Sequence, residues 1–172
     1  EKINKPFILG ISVDLDGDYF GVYSTDEESY HLLMKLSSDY QKKELTINSF
    51  KNHHGLIGVI ETHKGNFYDN FTRVNDENIK FNKYLNKFAN LFDRFYLGIE
   101  VTSKQDVSYA NKIRKFANEH EYKCVAFPTI KYQHKDDAII LDMVKAIANN
   151  EKIENKKSIG QEYFMDEKDY MK

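Results

Sequence analysis

The sequence predicts an α/β domain, and three observations carry that prediction. The second half alternates short apolar runs at 95–101 and 124–127 with amphipathic segments at 102–117 and 135–149, the order that parallel strands and right-handed crossover helices require. The first half holds an alternating run broken by Asp16-Gly17, a type I′ turn signal, which returns as Tyr19-Phe20-Gly21-Val22-Tyr23. A chain of 172 residues is also long enough for one core that buries roughly 70% of its unfolded surface.

Residues 6–15 and 18–24 are expected to pair as a hairpin. Thr25 with Glu28 has the spacing of a capping box, and Leu32, Leu33, Leu36 and Tyr40 then share one face of a helix over about 26–42. Residues 56–61 read as an inner strand, and 66–74 as another strand or an extended loop. Ile79, Tyr84, Leu85 and Phe88 fall at near-helical spacing within 77–92. After the strand at 95–101, Thr102 and Gln105 can cap a helix whose buried stripe is Val107, Ala110, Ile113, Phe116 and Ala117. The strand at 124–127 leads to a helix over 135–149, with Asp136 and Asp137 at its electropositive start and Ala138, Leu141, Val144 and Ile147 directed at the core. The domain is therefore expected to span 1–150. Residues 151–172 stay polar as far as Tyr163 and Phe164 and read as a linker with a short docking segment.

A net charge of −2 argues against autonomous binding to duplex nucleic acid, whose affinity comes mainly from neutralised phosphates. Lysines at 80, 83 and 87 and at 152, 156 and 157 read as solvated faces. No run of 18 apolar residues occurs, so no membrane partner is expected. The single Cys124 excludes an internal disulfide, and no basic leader precedes an apolar stretch, which together point to the cytoplasm. The start at Glu1 rather than methionine points to an excised piece or a processed product. The twelve Tyr and twelve Phe fall mostly at core positions of strands and helices.

Six histidines invite a search for a metal site, but no His-x-His, His-Glu-x-x-His or Cys-x-x-Cys occurs. Glu61, Thr62 and His63 end a predicted strand, the place where barrel enzymes keep their chemistry, and Glu100 ends another. A carboxylate beside an imidazole suits acid-base work or one ion; a solvated strand end is the simpler reading. Cys124 reads as a structural thiol, and Gly55, Gly58 and Gly65 do not fit phosphate-loop spacing.

Several segments resemble, in order, the PHP (polymerase and histidinol phosphatase) domain of the bacterial DNA polymerase III alpha subunit. PFILGISV at 6–13 is similar to the family's Pro-Ile-Ile-Gly-x-Glu-x-Tyr strand, with Ser12 at the glutamate. YHLLMKLSSDYQ at 30–41 looks like its Lys-Leu-Ser-Ser helix, and HGLIGVIETHKG at 54–65 like its His-x-Gly-Leu-Ile strand, with Thr62 at a cysteine-like place. FYLGIEV at 95–101 resembles Phe-Tyr-Leu-Glu-Ile, with Gly98 at the glutamate. Where the family commonly reads Thr-Asn-Asp-x-His-Tyr, this chain has Phe127, Pro128, Thr129, Ile130, Lys131 and Tyr132, so only the tyrosine matches. Asp136, Asp137 and Ala138 match the run that opens the next helix, and Glu162, Tyr163 and Phe164 resemble a Glu-Phe-Tyr near that domain's end.

The resemblance implies a partial or distorted (β/α)7 barrel lacking the first strands, which carry the family's His-x-His and Thr-Asp-His-Gly ligand motifs. It implies a degenerate metal site at Ser12, Thr62, Gly98, Thr129 and Lys131, because a lysine repels a divalent cation and threonine is a poor ligand. No catalytic residue and no cofactor are then expected in this segment. The parent would be a DNA-directed DNA polymerase, a nucleotidyltransferase that uses magnesium and meets DNA in replication. Expected partners are the remaining polymerase domains of the same chain and a proofreading exonuclease subunit. Two alternatives stay open: an independent metal-dependent phosphoesterase using Glu61, His63 and His134, and a stand-alone binding module.

Overall fold

In the computed structural model, which describes residues 7–51, 53–73, 78–102 and 104–152, Asp16 and Gly17 both take positive φ, 56° and 83°. That is the backbone a type I′ turn demands, and it folds Gly10–Leu15 (β1) onto Asp18–Ser24 (β2) with Leu15 opposite Asp18. The expected hairpin forms. Leu56–Glu61 (β3) pairs antiparallel with β2, Arg94–Ile99 (β4) parallel with β3, and Lys123–Ala126 (β5) parallel with β4. The result is one five-stranded sheet in the order β1-β2-β3-β4-β5.

The sheet is open and mixed, which overturns the expected (β/α)7 barrel. Closure requires the first and last strands to pair, and among the described residues β1 pairs with β2 and β5 with β4, not with each other. Five strands, each turned by roughly 20–25° from the next, give a twisted plate with β1 and β5 as its edges. The parallel pairing read from the second half is present in β3, β4 and β5.

The helices are Glu27–Gln41 (α1), Gly65–Arg73 (α2), Asn78–Ala89 (α3), Lys104–Glu119 (α4) and Ala138–Asn149 (α5). α1 begins one residue later than the capping pattern implied. Asp26, in extended backbone, is its N-cap and accepts from the Ser29 N–H at 2.8 Å, while Ser29 Oγ accepts from the Asp26 N–H at 3.1 Å. These bonds hold the Asp26 carboxyl below the usual carboxylate range. Thr25 turns away to donate to the Gly55 carbonyl oxygen at 2.9 Å.

In the segment read as a strand or loop at 66–74, the described residues 66–73 lie in helix α2. Phe67 and Phe71, four residues apart, stack at 5.8 Å on the helix's inner side. The helix start is fixed from a distance: Asp18 Oδ1 on β2 accepts the Phe67 N–H at 2.7 Å, and the Gly17 carbonyl accepts the Asn66 N–H at 3.0 Å. The other oxygen of Asp18 accepts the Tyr84 hydroxyl of α3, and Lys87 reaches Asp16 at 2.8 Å. One hairpin turn thus anchors two helices.

Phenylalanines are prominent in a mostly aliphatic core. Phe20, Phe50, Phe67, Phe81, Phe88 and Phe116 are buried, with Phe20 and Phe88 at 5.1 Å and Phe67 and Phe81 at 5.1 Å, edge to face in the second pair. Ala110, Ile113, Phe116 and Ala117 of α4 join it as expected, whereas Val107 stays exposed. The chain divides into two units, Glu1–Glu100 with Gln105–Phe127 and Val101–Lys104 with Pro128–Lys172. The second unit holds α5, whose expected core stripe is overturned: Val144 is 57% and Ile147 79% exposed, while Asp142 and Ala146 are buried. The polar Asp142 lies on the covered side, which an amphipathic reading of the sequence would place outward. The segment around Tyr163 and Phe164, with Lys156 and Lys157, lies outside the described residues. Among the described residues no helix is long and apolar enough to cross a membrane.

Asp18 is 1% exposed, and burial pushes its carboxyl above the ordinary value of 3.8 against the pull of Tyr84 and Phe67. The folded protein therefore takes up a proton here at higher pH than the unfolded chain. The contribution of Asp18 to stability grows as pH falls from its raised folded value toward 3.8 and declines as pH rises through that window. Urea unfolding of Asp18→Asn across mildly acidic pH should lose this slope. Tyr84→Phe should lower stability by about 1–3 kcal/mol by stripping a partner from a buried carboxyl.

Candidate functional site at the ends of β3 and β4

In open sheets with parallel strands, ligands bind beyond the carboxyl ends of those strands. Here that rim consists of Glu61, which ends β3, the Thr62-His63-Lys64 link into α2, and Glu100, the first residue after β4. The parallel register sets Glu61 beside Gly98 and so brings residues 61–64 against 98–100.

Thr62 is 1% exposed, and both its donors go to one acceptor: its N–H at 3.2 Å and its Oγ1 at 2.8 Å meet the Gly98 carbonyl oxygen. Its own carbonyl accepts the hydroxyl of Tyr109, from α4. Burial holds that phenol well above the usual range, so it stays a donor. Gly98 has no space for a side chain. A Cβ there would stand 2.9 Å from the Ile60 carbonyl oxygen, 2.9 Å from Val59 Cγ1 and 3.0 Å from Phe127 Cβ. Two positions that the family resemblance equates with ligand sites are thus joined to each other, one by its hydroxyl and one by its backbone.

Next to this latch lies a charged cluster. His63 Nε2 is 2.8 Å from Glu100 Oε2 and 3.6 Å from Glu61 Oε2, and Lys64 Nζ is 2.7 Å from Glu61 Oε2. Lys64 also lies over the Tyr19 ring at 4.6 Å. Burial, with the Glu61 charge adding to it, pushes the Tyr23 phenol up. Two largely buried carboxylates therefore share one imidazole, and one of them also meets an ammonium. His63 Nδ1 is buried without a hydrogen-bond partner, so it lacks the acceptor that normally orients a metal-ligating histidine. Among the described residues no group of three or more His, Cys, Asp or Glu side chains is placed to hold a metal ion.

Of the remaining sequence candidates, Ser12 lies apart from this cluster. Ser12 is exposed on edge strand β1, opposite Gly21, which itself faces Val59; it sits two strands from β3 and level with its middle. Thr129, Lys131 and His134 belong to the second unit, where the exposed His134 donates its backbone N–H to Asp137 Oδ2 at 3.0 Å. The ligand set that the resemblance assigns to these places does not fit a metal: Ser12, Thr62 and Gly98 offer one exposed hydroxyl, one committed hydroxyl and no side chain. Cys124 is partly buried against the core, and burial raises its thiol pKa, which leaves it protonated and unreactive.

Sequence reasoning paired Glu61 with His63 and named Glu100 apart from them. It missed Lys64 and Tyr109, whose roles depend on the parallel register and on the return of α4; the only local signal for Lys64 was its i,i+3 spacing from Glu61. No family model matches this chain, and no curated protein matches it.

Gly98→Ala should lower stability by about 1–3 kcal/mol, since the clashing atoms are backbone and core and cannot swing aside. Thr62→Ala should cost about 1 kcal/mol by removing one of the two bonds to the Gly98 carbonyl. Chemical denaturation of both variants checks the latch.

Proposed function

We propose that this chain is a non-catalytic PHP-type segment of a replicative DNA polymerase alpha subunit, acting in the cytoplasm as a scaffold for the polymerase regions and as a docking site for a proofreading exonuclease subunit. The parent would carry out template-directed nucleotidyl transfer with magnesium; this segment supplies none of that chemistry. The family resemblance supplies the assignment. The observation that carries the non-catalytic part is the latch between Thr62 and Gly98, which occupies both positions with packing and a buried hydrogen bond. Lys64 adds to it, since its ammonium sits on the one carboxylate of β3 that faces the rim.

A second reading, a metal-dependent phosphoesterase using Glu61 and His63 with His134, draws on the convergence of two carboxylates at His63 Nε2. Lys64 weighs against it, because its ammonium already sits 2.7 Å from Glu61 Oε2.

Two measurements test the proposal. Purified protein incubated with manganese or zinc and p-nitrophenyl phosphate should show no turnover above buffer; metal-dependent hydrolysis lost in His63→Ala would replace the leading reading with the second. The reading frame around this segment should continue into polymerase regions, and deleting residues 1–150 from that parent should lower its Tm by several degrees. A parent of unchanged Tm would reject the scaffold role.

A further inference from the structure

We draw no further inference here: the strongest candidate, the exposed apolar face of α5 formed by Ile139, Ile140, Met143, Val144 and Ile147, carries nothing because the structure holds no residue, copy or partner that shows what covers it.

Discussion

The parallel pairing of β3 with β4 is the constraint from which the rest of the rim follows. Parallel strands leave their carboxyl ends side by side, and the loop that leaves β3 has only three residues, Thr62 to Lys64, before α2 begins. A link this short has no slack. Thr62 must lie against Gly98, and a buried threonine must satisfy its hydroxyl; the Gly98 carbonyl is the acceptor it meets. Gly98 in turn needs the absence of a side chain so that β4 can pass Ile60 and Phe127 closely. The same geometry that makes strand ends a usual place for chemistry is here taken up by backbone closure.

A second constraint sits at the start of β2, beside the carboxyl end of β3. The Asp16-Gly17 turn offers carbonyl oxygens and the Asp18 carboxylate to the first turn of α2, while Tyr84 and Lys87 of α3 come to the same turn. A helix of nine residues has little stability alone, so its start is fixed by groups about fifty residues earlier in the chain. The aromatic side chains of α2 and α3 then pack into the core beneath it, where Phe71, Phe81 and Phe116 lie within 5.6 Å of one another, centroid to centroid. Charge and packing therefore act on the same elements from opposite sides.

The elements that sequence made legible are those whose signals are local. The I′ turn, the alternating strands and the stripe of α4 each carry their own periodicity or turn chemistry, and each is present, the stripe without Val107. What was not legible depended on distant partners. α2 looked extended because Phe67, Tyr68, Phe71 and Thr72 favour strands, and the cap that makes it helical comes from Asp18. The barrel was inferred by family resemblance, and strand count and pairing direction decide closure in a way that short motifs do not. At the rim, residue types were readable but commitments were not: Thr62 as a hydroxyl is neutral information, and only its neighbour across the sheet decides that it is structural. α5 shows the converse, since its apolar spacing is real and its apolar side is nevertheless exposed.

Native-state hydrogen exchange at the Thr62 amide tests the central claim most directly, because that N–H closes the last bond between the β3 and β4 strands. The account predicts protection equal to that of amides in the middle of β3, with exchange only through global unfolding. Exchange at the rate of an unstructured peptide, with the middle of β3 still protected, would mean that the rim is open and its side chains uncommitted, which contradicts the account.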